Sequence, residues 1–458
     1  MLHDEIKDIL RAHGDYRGLP TFEMPEWKEF TSKYEKDDIR KALADYIVNE
    51  HIPFPLKVIT KKDVEKRFHN LHSFSCIESF QKKESGDIRG YPEHEFTGEE
   101  YELGLINTGT QFNRVSDYYH QENRMACGSV SMMAPLEIWQ DQKKLETMNW
   151  LFWRDIMGDN PVDEESFRLS FKLGTYTAAQ FKPNAAKTIY EMYGADNILD
   201  TSCGWGDRLA GFYGTPHTKL YVGCDPNDVS FGLYKKQCLD YDKFLSGKTP
   251  ELIEEEDYFE VHGAKTVKIW RKPAEDVDWS LYKDTFDVYF TSPPYFCTEK
   301  YGTNSKNVEE QSWNRYQEFD AWKYDFLFKV NKMTWPTIKH GGYSCINIMD
   351  PIIKSKRQPL CDDMVRDFMT FDDCYYLGYT GFVMSARPHM KQEKLSIEPI
   401  WIFRKGINKH ETQIGKTKPL DWWFRKKKHE PETQSEPNQK DLPKTQEKTK
   451  KEGLNKWF

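Results

Sequence analysis

The pattern of hydrophobic and polar positions changes near residue 175. Beyond it, seven short aliphatic or aromatic runs alternate with longer helical patterns; the runs lie at residues 195–200, 219–225, 266–270, 286–292, 341–349, 374–385 and 398–405. Strands that alternate with helices predict an α/β fold, with a seven-stranded, mostly parallel sheet covered by helices on both faces. The last two runs are joined by a loop without a helical pattern, which predicts a C-terminal antiparallel hairpin.

The pattern also predicts three regions along the chain. Residues 1–165 combine helical stretches, such as 37–50 and 136–157, with polar loops, and we expect them to form an N-terminal α+β domain. Residues 166–424 hold the predicted sheet. Residues 425–458 are basic and almost without apolar side chains, which favours a disordered tail. Its final apolar residues, Leu454, Trp457 and Phe458, are either a frayed end or a docking motif for a protein partner.

Composition narrows the possible classes of protein. The 458 residues are 38% hydrophobic and 30% charged, and they include no run of about 20 apolar residues and no signal peptide at the N-terminus, so we expect a cytoplasmic protein without a membrane span. Nine scattered cysteines form no CxxC pair or Cys/His cluster, which predicts reduced thiols and no metal site. Residues 405–458 carry 14 Lys/Arg against 8 Asp/Glu, so the rest is more acidic than the net charge of −8 indicates.

A glycine-containing loop follows the first run, in the segment NILDTSCGWGDRLAGFYG. The strand ends at Asp200, Gly204 and Gly206 form a tight turn, and a helix begins at about residue 207, which is a favourable arrangement for a ligand that approaches the backbone. The next glycine is Gly211, too late for the dinucleotide fingerprint, so NAD and FAD are disfavoured. The second run ends in Asp225, where an acid can accept hydrogen bonds from ribose hydroxyls. The two acids predict a nucleoside-containing ligand.

The most specific motif is Ser292-Pro293-Pro294-Tyr295, which directly follows the apolar run FDVYF. Consecutive prolines cannot continue a sheet ladder, so they must lie beyond the strand and stiffen a loop at its carboxyl end. Ligands of open α/β folds bind at that edge of the sheet.

These two motifs together resemble those of the S-adenosylmethionine-dependent DNA amino-methyltransferases, which act on N4 of cytosine or N6 of adenine. The resemblance implies a Rossmann-like methyltransferase fold with S-adenosylmethionine as cofactor. It further implies that Asp225 binds the ribose and that the Ala274-Glu275-Asp276 stretch bounds the adenine. The cofactor-binding residues expected from it are Phe181, Pro183, Asp200, Ser202, Gly204, Gly206, Asp225, Glu275 and Asp276.

The same resemblance implies how the Ser-Pro-Pro-Tyr loop acts, with Ser292, Pro293, Pro294 and Tyr295 as catalytic residues. The Ser292 hydroxyl and the Pro293 carbonyl accept hydrogen bonds from an exocyclic amine, and its lone pair then attacks the methyl group directly. No cysteine nucleophile is needed, and Cys297 beside the motif is incidental. Tyr295 stacks on a base flipped out of duplex DNA, and Phe296 either widens that platform or packs the loop. Serine at the first position favours N4 of cytosine over N6 of adenine.

Several regions could recognise the nucleic acid. In some members of the family that this chain resembles, the target-recognition region follows the catalytic core along the chain. Here only a short segment and the tail follow Lys405, so we expect the N-terminal domain to contribute to recognition. Other candidates are the insertion at 300–319 and basic residues, which are Lys61, Lys62, Lys66, Arg67, Lys354, Lys356, Arg357, Arg387 and the run 425–428. Each of these could equally be ordinary surface.

Three functions stay open on the sequence. The leading one is a phage or bacterial DNA methyltransferase, with or without a restriction partner. RNA base amino-methylation is the alternative, although no RNA-binding module is recognisable. A non-catalytic scaffold is the third, and the intact Ser-Pro-Pro-Tyr motif argues against it.

Overall fold

The structure is a computed structural model that describes residues 2–76, 79–81, 88–89, 94–97, 99–148, 160–296, 298–384 and 395–413. The predicted tail, Arg387 and Cys297 lie outside these ranges. None of the helices in them is both long and apolar enough to cross a membrane. The predicted cytoplasmic location stays a prediction.

The first part of the chain is mainly helical. Its helices pack around Trp27, Phe30, Leu43, Trp139 and Phe171. Its elements in chain order are α1 (Leu2–Ala12), α2 (Met24–Lys33), α3 (Lys36–Asn49), α4 (Lys61–Ser73), β1 (Phe80–Gln81), β2 (Ile88–Arg89), β3 (Glu102–Ile106), α5 (Arg114–Met125), β4 (Gly128–Ser129), α6 (Pro135–Trp139) and α7 (Gln142–Thr147).

One predicted helix of this part is divided. The stretch 136–157 was expected to be continuous, but α6 ends at Trp139 and α7 begins at Gln142. Asp141 separates them because its side chain accepts a hydrogen bond from the Lys144 amide (3.1 Å) and so caps a new helix. Residues 149–157 lie outside the described ranges. The other predicted helix, 37–50, is confirmed as α3.

The second part alternates strands and helices. Helix α13 is continuous from Phe319 to Thr334, with a π-helical stretch at Trp322–Phe328. The elements are α8 (Glu164–Gly174), α9 (Pro183–Met192), β5 (Asn197–Asp200), α10 (Asp207–Gly214), β6 (Leu220–Cys224), α11 (Asp228–Ser246), β7 (Glu251–Glu255), β8 (Tyr258–His262), β9 (Thr266–Trp270), β10 (Phe286–Thr291), β11 (Glu299–Lys300), α12 (Ser312–Arg315), α13, β12 (Ile338–Asn347), β13 (Ile352–Ile353), β14 (Lys356–Arg357), α14 (Leu360–Phe368), β15 (Cys374–Val383) and β16 (Leu395–Lys405).

The sheet confirms the predicted fold class. Strands β9, β6, β5, β10 and β12 are parallel neighbours in that order, which is the 3-2-1-4-5 order of Rossmann-like folds. Strands β15 and β16 form the predicted antiparallel hairpin, and β16 lies beside β12. All seven predicted runs are therefore strands of one sheet.

The predicted number of strands, seven, was too low. Among the described residues the sheet contains twelve strands. Strands β7 and β8 extend it beyond β9, and β3 pairs in parallel with β15, so chain from the first part also joins it. Sequence pattern missed β7 because its residues are mostly exposed and polar, as in an edge strand.

Hydrophobic cores cover both faces of this sheet. On one face, helices α4, α5, α9, α10 and α11 pack around residues such as Phe68, Ile189 and Tyr241. The other face is covered by α13 and α14, with Trp322, Trp401 and Phe403 at its centre. Helices α4 and α5 of the first part thus pack against α10 and α11 of the second part. The predicted domain boundary at residue 165 stays a prediction.

Candidate functional site

A cavity of about 440 Å³ opens at the carboxyl edge of the sheet, where the loops after β5, β6, β9 and β10 converge. It spans β5 and β10, which are adjacent although far apart in the chain. Helices leave the two strands on opposite faces of the sheet, and the crevice at such a switch point is the usual ligand site of open α/β folds.

The glycine loop after β5 forms one wall. Gly204 and Gly206 both have left-handed backbones, with φ of 57° and 69°. At Gly206 a Cβ atom would lie 2.2 Å from Gln237 Oε1 and 2.8 Å from His120 Nε2, so only glycine fits there. The Gln237 side chain donates to the Gly206 carbonyl (2.8 Å), and His120 of α5 bonds Gln237 (3.0 Å). Residues from the first part of the chain therefore fix the loop.

Asp200 lies behind this wall and does not line the cavity. Its carboxylate is fully buried and accepts hydrogen bonds from Arg208 Nε (2.8 Å), the Tyr221 hydroxyl (2.7 Å) and the Ser202 amide (3.1 Å). Arg208 also donates to the Ser202 carbonyl. Asp200 thus orders the loop through Arg208, whose guanidinium reaches the cavity with its charge already balanced.

Asp225 reaches the cavity from the end of β6. Its Oδ2 accepts hydrogen bonds from the Gly204 amide (3.1 Å) and the Tyr234 hydroxyl (3.1 Å), and its Oδ1 accepts from the Asn227 amide (3.0 Å). Burial raises the pKa of this carboxyl to about 6, against the lowering effect of these donors. A carboxylate has about four acceptor positions, so one remains on Oδ1 for a ligand hydroxyl.

Asp207, the first residue of α10, was not predicted. It is 2% exposed and lines the cavity, and its Oδ1 accepts hydrogen bonds from the Ser116 hydroxyl and from Gln180 Nε2 (3.1 Å). Its Oδ2 is buried without a hydrogen-bond partner among the described residues. Burial raises its pKa to about 8, so the carboxyl is protonated at neutral pH in the free protein.

The opposite end of the cavity is closed by the insertion at 300–319. Glu275 lines this end, and its Oε1 accepts from the Tyr316 hydroxyl (2.8 Å) while Arg315 lies 3.2 Å away. Asp276 instead forms a bidentate pair with Arg315 and does not line the cavity. Gln311 and Ser312 of the insertion also line it.

Three polar atoms at this end have no hydrogen-bond partner within the described ranges. They are Glu275 Oε2, Gln311 Nε2 and Ser312 Oγ, and each side chain is at most 8% exposed. An acceptor, a donor and a hydroxyl without partners in one cavity wall are costly unless a ligand binds them. Burial also raises the pKa of Glu275.

The Ser-Pro-Pro-Tyr loop forms the remaining wall, and all four residues line the cavity. Ser292 is half-buried, and its hydroxyl makes no hydrogen bond to a described residue. The loop is held by Phe296, which has a φ of 52° and packs its buried ring against Phe319 and Trp322. Of the two roles considered for Phe296, it therefore packs the loop.

The hydroxyl of Tyr295 donates to Glu398 Oε1 (2.5 Å) on β16. Glu398 lines the cavity beside the Ser-Pro-Pro-Tyr loop, and burial raises its pKa. This bond fixes the orientation of the Tyr295 ring.

The structure brings most of the predicted site residues to one cavity. Those lining it are Phe181, Ser202, Gly204, Asp225, Glu275, Ser292, Pro293, Pro294 and Tyr295, whereas Pro183, Asp200, Gly206 and Asp276 do not line it. Sequence reasoning missed Asp207, Arg208, Gln311, Ser312 and Glu398. Asp207 and Arg208 follow the glycine turn directly and could have been found there. Gln311 and Ser312 lie in the insertion at 300–319, which was considered only for nucleic-acid recognition, and Glu398 comes from a distant strand without a motif.

Other chemical candidates take no part in the chemistry of the cavity or lie outside it. Phe68 is buried in the core and Lys61 pairs with Asp240 (2.5 Å), so α4 presents less of a basic surface than its sequence indicates. Cys203 lines the cavity, but burial raises its pKa and keeps the thiol protonated. His94, Asp350 and Cys361, far apart in sequence, lie close together, with Arg357 contacting both His94 and Asp350.

No family model and no curated protein matches the chain. Similar solved structures include an S-adenosylmethionine-dependent O-methyltransferase from Thermotoga maritima (12% identity, TM-score 0.29, 53% of this chain and 72% of that one). Trm1 from Pyrococcus horikoshii in complex with S-adenosyl-L-methionine aligns with 13% identity and a TM-score of 0.30, over 50% of this chain. An rRNA methylase from Streptococcus thermophilus aligns with 11% identity and a TM-score of 0.26, over 50% of this chain and 99% of its own. The chain spans 57% of the length of Trm1 and 48% of that of another similar structure, PH0851.

Proposed function

We propose that this protein transfers a methyl group from S-adenosylmethionine to the exocyclic amino group of a base in DNA, with N4 of cytosine favoured over N6 of adenine. The observation that carries the proposal is the single cavity in which the glycine loop, Asp225 and the Ser-Pro-Pro-Tyr loop meet. When bound, the cofactor supplies an electrophilic methyl group on a positively charged sulfur.

The charge of the cavity supports this cofactor. Six acids line it, of which Asp207 is protonated at neutral pH in the free protein, and the basic side chain among the lining residues, Arg208, is neutralised by Asp200. The other five acids are Asp225, Glu275, Glu299, Glu310 and Glu398. Such a wall favours a ligand with net positive charge. S-adenosylmethionine carries an ammonium, a sulfonium and one carboxylate, so its net charge is +1.

The unpartnered atoms support the position of each cofactor group. Asp225 offers an acceptor for a ribose hydroxyl, next to the Gly204 turn. Glu275 Oε2 is an acceptor for the adenine amine, and Gln311 Nε2 and Ser312 Oγ can donate to ring nitrogens. At the other end, Asp207 Oδ2 has no hydrogen-bond partner among the described residues. We assign it to the ammonium group of the methionine part, whose positive charge favours ionisation of this carboxyl.

The residues of the Ser-Pro-Pro-Tyr loop then act on the target amine. Its nitrogen is a poor nucleophile because the lone pair is delocalised into the base. The Ser292 hydroxyl and the Pro293 carbonyl hold its two hydrogens, so that the lone pair turns out of the ring plane. Tyr295, fixed by Glu398, offers its ring face to the flipped base.

The proposal is tested by incubating the purified protein with S-adenosylmethionine that carries a labelled methyl group and with separate pools of unmodified genomic DNA and total RNA. We expect label that is retained on DNA after RNase treatment. Ser292→Ala is the matched control, because it removes one acceptor from the loop and leaves the cofactor walls intact. Label found only in RNA would support RNA base amino-methylation instead of DNA methylation. Absence of transfer to both pools would refute the proposal.

A further inference from the structure

A short β-hairpin with a two-residue turn projects from the same edge of the sheet as the cavity. Strands β13 and β14 pair antiparallel, with Ile352 opposite Arg357 and Ile353 opposite Lys356. The turn residues Lys354 and Ser355 both have positive φ, 48° and 64°. Tight hairpins of this kind prefer Asn-Gly, so a Lys-Ser turn is strained. Strain that persists at a projecting tip favours a function for the side chains presented there.

The root of this hairpin is firmly held. Arg357 donates from Nε to the buried carboxylate of Asp350 (2.9 Å), and Asp350 Oδ1 also accepts from the Cys361 amide at the start of α14 (2.8 Å). Gln358 N donates to the Pro351 carbonyl (3.0 Å) and closes the base of the hairpin. The tip is therefore a stiff projection on a fixed base.

The tip combines an apolar side chain with two cations. Ile352 is 74% exposed, more than any other large aliphatic side chain among the described residues. Lys354 and Lys356 are exposed and form no ion pair within the described part of the chain. The tip therefore presents one apolar side chain together with two positive charges.

The hairpin also lies near the target end of the cavity. Met349, which lines the cavity, precedes Ile352 by three residues. Three residues of chain span at most about 11 Å, so Ile352 cannot lie further than that from Met349, Cα to Cα. This upper bound corresponds to about three base-pair steps of about 3.4 Å each.

We propose that this hairpin is a DNA wedge: Ile352 enters the duplex where the target base has left it, and Lys354 and Lys356 contact the flanking phosphates. Aliphatic wedges that enter base steps are an established way to stabilise unstacked DNA. The inference rests on the proposed function, because it needs a base that leaves a duplex.

The test uses the full-length protein with PCR-amplified, unmodified genomic DNA, either native or heat-denatured. Ile352→Ala is expected to lower methylation of native DNA at least tenfold and to change that of denatured DNA less than twofold, because a single strand has no stack to open. Ile253→Ala is the matched control, since Ile253 is exposed (44%) on β7, an edge strand separated from β12 by five strands. If Ile352→Ala loses methylation equally on native and denatured DNA, or on neither, the proposed wedge is overturned.

The lysines are tested by binding of duplex DNA as a function of salt. The double variant Lys354→Ala/Lys356→Ala should reduce the slope of log affinity against log salt by about 2, close to 0.9 per phosphate contact. An unchanged slope overturns the proposed phosphate contacts. This readout does not need catalysis: if the wild-type protein transfers no methyl group but the slope falls as expected, the proposed function fails and the DNA-contacting hairpin stands.

Discussion

Asp207→Asn should stabilise the protein and at the same time weaken its binding of S-adenosylmethionine. The Asp207 carboxyl is 2% exposed, with one oxygen bonded by Ser116 and Gln180 and the other without a partner among the described residues. Asparagine is nearly isosteric with the protonated acid and keeps the acceptor for both donors. It cannot ionise, however, so it removes the charge that we assign to the cofactor's ammonium group.

The magnitude follows from the pKa of Asp207, which is about 8 in the folded protein against an ordinary value of 3.8. An acid with a raised pKa gives stability that is fully present below pH 3.8 and is lost as the pH rises to about 8. At pH 7 this loss is at most about 4 kcal/mol, at about 1.4 kcal/mol per pH unit. Asp207→Asn lacks this loss. Its free energy of unfolding should therefore exceed that of the wild type by up to about 4 kcal/mol at pH 7 and approach the wild-type value near pH 4.

Urea denaturation at pH 4, 5.5, 7 and 8.5 measures this difference, and calorimetric titration measures cofactor affinity. Asp200→Asn is the contrasting control: it leaves Arg208 buried without its ion-pair partner and should destabilise the protein by about 3–5 kcal/mol. The reasoning is refuted if Asp207→Asn destabilises the protein at pH 7, or if its effect on stability does not change with pH. Unchanged cofactor affinity would refute the role assigned to Asp207 at the ammonium group.

Four further predictions concern the same cavity. Asp225→Ala should weaken cofactor binding about 10- to 100-fold, because it removes a charge-assisted hydrogen bond worth about 1.5–3 kcal/mol. The cofactor affinity of the wild type should rise as the pH passes about 6, where Asp225 ionises. Calorimetry that shows no pH dependence of the affinity contradicts this. Ser292→Ala should lower kcat at least 100-fold and change cofactor Kd less than twofold; equal losses of affinity in both variants contradict the assignments. Tyr295→Phe removes the donor and Glu398→Ala removes the acceptor of one hydrogen bond, so each should lower kcat about tenfold in steady-state assays. A loss in only one of them argues against a shared role. Gly206→Ala should lower the urea midpoint, because its Cβ would meet Gln237 at 2.2 Å; an unchanged midpoint contradicts the required close approach.

Sequence pattern predicted the central sheet because its strands are short apolar runs with turn residues at their ends. Strands with exposed or very short pairings gave no such signal. Strand β7 is mostly exposed, and β3 is recognisable only through its pairing with β15. The break between α6 and α7 depends on the capping hydrogen bond of one side chain, Asp141, which hydrophobic periodicity does not report.

The residues of the candidate site also divide into those that local motifs predict and those that they do not. Ser292, Gly204 and Asp225 belong to local motifs, and the structure brings all three to one cavity. Roles that depend on a partner distant in sequence were not predictable. Asp200 is bonded by Tyr221 of the next strand, and Glu398 reaches Tyr295 from a strand more than a hundred residues away.

The most direct test of the central claim is the chemical position of the transferred methyl group. DNA treated with the wild-type protein and S-adenosylmethionine carrying a trideuterated methyl group is digested to nucleosides and analysed by mass spectrometry against standards. The account predicts labelled N4-methylcytosine or N6-methyladenine, with the first favoured, and formation of either product at least 100-fold slower with Ser292→Ala. Labelled 5-methylcytosine, which requires attack through a ring carbon, would contradict the account.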